Sequence, residues 1–242
     1  MIALLWLEGP FQSWGHNSRF WRRDTLNFPT RSGILGMICA AAGKKDEQEE
    51  WLAKMRRFKQ TIVAYAPANG LFFPRLEDYQ TIGGGYGEGL WESMFKPKTV
   101  DGTKPGGNTG SKISLRYYLQ DAAFACVLEL PEDEDFESFL VNPVCAISLG
   151  RANCIPSFPV WQGKFENENA ALDKALEIAK EKNRKEIFRV LEGEIDGGER
   201  MLLNDVPVSF GIYKKYDSRI VSIIHCEDCD GSPSEPMDAI ED

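Results

Sequence analysis

Six consecutive apolar residues at positions 2–7, IALLWL, constrain the fold more than any other stretch of the chain. A run this short and uniform suits a β-strand buried on both faces, because alternate side chains of a strand point to opposite sides. It has no basic leader and no small-residue cleavage site, so it reads as a strand and not as a signal peptide. No apolar run approaches the roughly 18 residues that span a bilayer, which points to a cytoplasmic protein without membrane contact.

A loop with Pro10 and Gly15 follows, and then a helix with clear punctuation. Thr30, after Pro29, is a fitting N-cap, and Gly43 a fitting left-handed residue just past the C-terminus. Between them Ile34, Leu35, Met37, Ile38 and residues 39–42 are apolar almost all round, which places this helix deep in a core. A second helix is predicted over 46–58, with Trp51, Leu52, Met55 and Phe58 on one stripe, and a strand over 61–66. Further on, 123–130 (AFACVLEL) reads as a strand, 133–140 as a short acidic helix and 144–148 as a strand before a turn bearing Gly150 and Arg151. Residues 169–184 are helical in pattern. Short β segments at 188–193, 200–203, 206–210 and 220–225 indicate a small antiparallel appendage.

Two stretches break the pattern. Between 79 and 114 glycines recur, with Lys96, Lys98, Lys104 and Lys112 among them, and a core cannot be built from such a segment. It reads as a projecting hairpin that becomes ordered on a partner. Residues 226–242 (CEDCDGSPSEPMDAIED) have the composition of a disordered acidic tail.

The formal net charge of −9 is unevenly spread. Residues 1–120 hold 16 Lys and Arg against 11 Asp and Glu, whereas the remainder holds 12 against 26. A nucleic acid would be steered to the first half, and the acidic second half equally serves solubility. The six cysteines are scattered, as reduced thiols usually are. Only Cys226 and Cys229 form a C-x-x-C pair, and neither a second pair nor two suitably spaced histidines accompanies them, so no metal or other cofactor is expected.

Motifs for catalysis are sparse. GGGYGEG and GGNTGSK fit neither dinucleotide nor Walker spacing. Of the two histidines, His16 sits in a glycine-bordered loop and is the candidate general base, while His225 ends a strand. What remains is anion binding. Thr30, Arg31, Ser32 and Gly33 stand where the core helix begins, and the first N–H groups of a helix lack internal partners. Gly33 would let a phosphate backbone approach closely. Arg19, Arg22, Arg23 and Arg31 supply countercharge, and Trp14, Phe20, Trp21 and Phe28 offer stacking surfaces, a mixture that suits single-stranded RNA. The same residues also fit a well-capped helix beside core aromatics, and residue chemistry leaves both readings open.

The order of the motifs carries more. GPFQSWG (9–15), then PTRSGILGMICAAAG (29–43), DYQTIGGGY (78–86), YYLQDAAFACVLEL (117–130), LGRANCIPSFPVWQG (149–163) and DVPVSFGIYKKYDSRIV (205–221) together resemble the CasD family of CRISPR-associated proteins. That family is the small backbone subunit of the type I-E Cascade surveillance complex. The resemblance implies a ferredoxin-like, RRM-like α+β domain over 1–165, with a protruding β-hairpin thumb at 79–118. A helix and small C-terminal antiparallel β-subdomain would follow over 166–225. It implies a non-catalytic subunit that binds the 5′ handle of CRISPR RNA, caps the backbone filament and contacts the large and backbone subunits, with target DNA held by the assembled complex. By position, Ser13 and Trp14 would line the loop beside the handle, and Arg31 and Ser32 would meet its phosphates. The segment 83–116, with Lys96, Lys98, Lys104, Lys112 and Arg116, would form the thumb, and Arg151 falls in the LGR motif. A type I-C relative cleaves precursor RNA without metal, using Tyr, Lys and His side chains. Endoribonuclease activity is therefore the alternative, with the poverty in histidine against it.

Overall fold

A computed structural model of the chain describes residues 1–16, 18, 21–70, 72–82 and 112–226. Arg19, Phe20, Lys96, Lys98, Lys104 and Cys229 lie outside these residues, as do the central part of the expected thumb and the expected tail beyond Cys226. Among the described residues, no helix is long and apolar enough to cross a membrane.

The apolar run at the N-terminus is β1 (Ile2–Glu8), buried along its whole interior. It pairs antiparallel with β7 (Ala123–Glu129) on one side and with β8 (Trp161–Phe165) on the other. Beyond β7 come β4 (Gln60–Pro67), β9 (Arg184–Glu192), β11 (Lys215–His225) and β10 (Glu199–Ser209), each antiparallel to its neighbour. The result is a seven-stranded sheet of order β10-β11-β9-β4-β7-β1-β8. Ala3, Leu5 and Leu7 face one core with α1 (Arg31–Ala41), α2 (Glu49–Met55) and α3 (Phe136–Val141). Leu4 and Trp6 face a second core closed by α4 (Glu168–Glu181) through Ala171, Ala175, Ile178 and Ala179. Both faces of β1 are thus covered, which is why a run without polar alternation is stable there. Truncating Leu5 to Ala in this setting costs about 2–5 kcal/mol.

Helix α1 begins and ends as its punctuation predicts. The Thr30 side chain accepts a hydrogen bond from the Gly33 N–H at 3.1 Å. Gly43 (φ +69°) turns the chain out, so that its N–H reaches the Ala40 carbonyl and that of Lys44 reaches Cys39. The strand predicted at 144–148 does not form. The N–H groups of Val144 and Cys145 donate to the Ala41 and Ala40 carbonyls, so this segment caps α1 instead of pairing in a sheet.

The C-terminal strands also differ from the expectation of a small appendage. They do pair antiparallel, but β9 bonds to β4 from Ile62↔Val190 to Pro67↔Arg184, so they widen the main sheet. The segments expected at 200–203 and 206–210 are one strand, β10, with an irregular register between Leu203 and Val206. A second, smaller sheet centres on β6 (Lys112–Gln120). One edge of β6 pairs with β5 (Arg75–Ile82), the other with two short strands end to end, β2 (Phe11–Gln12) and β3 (Arg22–Arg23).

Candidate nucleic-acid interface

At the helix start expected to hold phosphate, the protein itself supplies partners for the Arg31 and Gly33 N–H groups. The Arg31 N–H donates to Asp205 Oδ2 at 2.7 Å, and the Thr30 hydroxyl occupies the Gly33 N–H. Ser32 turns its hydroxyl to Thr30 at 3.4 Å. The Arg31 side chain is not presented to solvent, being 5% exposed. Its Nη1 donates to Glu192 Oε1 at 2.5 Å. Its Nη2 donates to the carbonyls of Met55 (2.9 Å) and Arg56 (3.2 Å) and to that of Phe58, where it completes the C-terminus of α2. Arg219 joins the group, forking onto Asp205 through Nε (2.7 Å) and Nη2 (2.8 Å) and reaching Glu192 at 3.1 Å. Burial, the largest influence, holds the Arg31 pKa below the ordinary arginine value despite the Glu192 carboxylate. Two arginines and two carboxylates therefore form a buried network that ties α1 and α2 to β9, β10 and β11. The expectation that Arg31 meets RNA phosphates is corrected by this placement.

Ser13 and Trp14 are corrected in the same way. Trp14 is 1% exposed, and its indole N–H donates to Gln12 Oε1 at 3.1 Å. A Cβ on Gly33 would stand 2.8 Å from Trp14 Cε3, so the missing side chain seats the indole and does not clear space for a ligand. Phe28 is likewise core. Ser13 is buried, with its hydroxyl on the Tyr117 carbonyl at 3.1 Å and its N–H on the Leu149 carbonyl at 3.1 Å. Gly150 (φ +94°) packs on this loop so tightly that a Cβ would fall 1.8 Å from the Ser13 carbonyl oxygen. His16 lies in the same loop, half-buried.

The residues that do face outward are on the second sheet. Arg22 and Arg23 are exposed on β3, and Trp21 just before them is 55% exposed. In register, Arg22 stands beside Leu115, which stands opposite Tyr79, and Tyr117 follows on the same face of β6. The Arg22 guanidinium lies 5.0 Å over the Tyr117 ring, and Tyr79 is 60% exposed. The Tyr117 hydroxyl has a raised pKa, from partial burial first and then from its hydrogen bond to Glu77. Arg23 and Arg116 share the opposite face. Asp24, 3.8 Å from Arg22, and Glu77 and Asp78 on β5 temper the charge. Sequence reasoning missed Tyr79 and Tyr117, although the alternation in RLEDYQT and SLRYYLQ carried the signal. Lys112 opens β6.

Arg151 supports this surface from behind. Its Nη2 donates to the Arg23 carbonyl at 2.7 Å and its Nη1 to the Tyr117 carbonyl at 3.3 Å, with the guanidinium 4.7 Å from the Tyr118 ring centroid. Cys226 directs its thiol to Glu186 Oε1 at 3.6 Å. Among the described residues, no group of three or more His, Cys, Asp and Glu could hold a metal ion.

Comparison with known proteins bears on this geometry. The Cascade subunit CasD of Escherichia coli (strain K12) is 26% identical over 169 residues, covering 66% of this chain and 69% of that one. A solved chain of a CRISPR RNA-guided surveillance complex superposes with a TM-score of 0.71 and 26% identity over 93% of this chain and 90% of its own. A crystal structure of a Cas protein shares the fold, with a TM-score of 0.57 and 23% identity over 95% of this chain and 97% of its own. The family described as CRISPR-associated protein (Cas_Cas5) matches residues 2–222. A match over nearly the whole chain, on a mixed α+β fold with a large antiparallel sheet, means that this protein belongs to the CRISPR-associated Cas5 family.

Proposed function

We propose that the chain is a non-catalytic subunit of a Cascade-type CRISPR surveillance complex, binding the 5′ handle of CRISPR RNA and capping the backbone filament. One observation carries this reading: Arg22 lies over Tyr117 on the face that also bears the exposed Tyr79. Single-stranded RNA is held by such mixtures, in which cations meet phosphates and aromatic faces stack on unpaired bases. The fold supports it as well. The order β8-β1-β7-β4, with α1 between β1 and β4 in sequence and α3 between β7 and β8, supports a ferredoxin-like reading of this core. The β5–β6 pair is the base of the thumb, and Lys96, Lys98 and Lys104, which lie between these strands in sequence, are assigned to RNA together with Lys112, Arg116, Arg22 and Arg23. The large and backbone subunits, and target DNA once it is captured, are the partners of the assembly.

The test is co-expression with the other subunits, with and without guide RNA, followed by photocrosslinking from thiouridine placed in the handle. Crosslinks to Trp21, Tyr79 or Tyr117 in the assembled complex are expected. Assembly without handle crosslinks to this chain would overturn the RNA reading and leave a protein–protein adaptor.

A further inference from the structure

We infer that Arg151 is a positioning residue that fixes the RNA-facing arginines of β3, acting through them and not by touching RNA. The inference rests on the RNA-binding reading above.

β6 has an incomplete edge. β2 pairs with Leu119 and Gln120, β3 pairs with Leu115 and Arg116, and the two strands are separated in sequence by residues 13–21. Between their footprints the Tyr117 carbonyl has no strand partner on that edge among the described residues. It receives the Ser13 hydroxyl and Arg151 Nη1 instead. The other half of the Arg151 fork holds the Arg23 carbonyl, so one planar group bridges β6 and β3 across the gap. β3 is only two residues long, and two ladder positions give it little hold of its own.

The base from which Arg151 reaches is rigid. Leu149 is fully buried, its N–H bonds to the Cys154 carbonyl at 2.7 Å, and the Cys154 N–H bonds back to the Arg151 carbonyl at 2.9 Å. Asn153 from the same turn donates to the Tyr118 hydroxyl at 3.2 Å. Gly150, whose absent side chain lets the turn sit on Ser13, sets the distance. A short strand carrying two exposed arginines is therefore anchored by a third arginine whose fork matches two carbonyls, a geometry that lysine's point charge cannot reproduce.

The test is a double-mutant cycle read by RNA affinity at several salt concentrations, using the full chain and a repeat-derived RNA that contains the handle. Arg151→Ala is expected to weaken binding roughly tenfold, since coupled residues commonly interact by an amount of that order. In a chain already carrying Arg22→Ala and Arg23→Ala, the same change is expected to alter affinity less than about twofold, because the groups it positions are gone. Arg151→Lys is the decisive companion if the alanine variant folds poorly. It keeps the charge and loses the fork, so it should bind as weakly as the alanine variant if Arg151 positions β3. Near-normal affinity for Arg151→Lys, or full multiplicative loss in the Arg22/Arg23 background, would mean that Arg151 contacts phosphate itself and would overturn the inference. A wild-type chain that fails to bind the RNA at all refutes the functional reading instead.

Discussion

Replacing Arg31 with alanine separates the two roles that its sequence position allows. In the structure the change removes the Arg31–Glu192 ion pair and the donors to three carbonyls at the end of α2. Breaking a buried pair by deleting one partner costs about 3–5 kcal/mol, because the other charge stays buried. Glu192 is a quarter exposed and keeps Arg219 at 3.1 Å, both of which relieve that penalty and set the expectation at the lower end, about 3 kcal/mol. For a chain of this size each kcal/mol moves the thermal midpoint by about 2–4 °C, so a drop of roughly 6–12 °C is expected. The assay is thermal denaturation followed by circular dichroism, with RNA affinity measured well below the lowered midpoint. Arg31→Lys should fall between wild type and alanine, since it keeps a charge but cannot serve Glu192 and three carbonyls together. A phosphate contact predicts the reverse pattern. The midpoint would stay within about 1 °C, surface changes being nearly neutral. The slope of log affinity against log salt would fall by about 0.7. That second pattern would refute the buried-network account.

Four further outcomes are expected. Arg22→Ala with Arg23→Ala should leave the thermal midpoint nearly unchanged while weakening RNA binding and lowering the salt slope by about 1.4; an unchanged slope places the RNA elsewhere. Gly150→Ala should cost about 3 kcal/mol or more, since a left-handed φ and a collision with the Ser13 carbonyl coincide, and a soluble variant of wild-type stability would contradict the close packing of turn on loop. Burial alone would raise the Glu8 carboxyl, but hydrogen bonds from Trp6 and Lys182 and the charge of Arg184 outweigh it and hold its pKa below the ordinary range. Its stabilising share is therefore present above the ordinary glutamate pKa and is lost as pH falls through the depressed one, so Glu8→Gln should flatten the acid side of a stability–pH curve. Incubation of the purified chain with repeat RNA in EDTA should give no specific cleavage, and cleavage abolished by His16→Ala would install the endoribonuclease reading.

Much of the architecture was legible because it is local. The IALLWL run, the Thr30 cap and Gly43 each state their structure within a few residues. The failures share a cause, namely partners far off in sequence. Residues 144–148 have strand composition, but their N–H groups meet the end of α1, some hundred residues earlier, before any sheet edge. The C-terminal strands looked self-contained because nothing local reveals that β9 lies against β4. Arg31 pointed outward on paper because its acceptors, Glu192 and Asp205, are 161 and 174 residues away. A clue was present: Asp205 stands between the apolar residues at 202–203 and 206–208 and Arg219 directly before Ile220 and Val221, positions at which a charge is often buried as an ion pair. The aromatic face on β6 was obscured for a simpler reason, since the glycines and lysines that suggest a thumb run on into the strand that carries Tyr117.

The carboxylate of Asp205 at the head of α1 has a consequence for the order of events in the cell. The negative charge that this helix end favours is supplied from within the chain, so the start of α1 does not wait for a bound anion. Folding of α1 therefore needs no anionic ligand at its start, and any ligand contact can follow it.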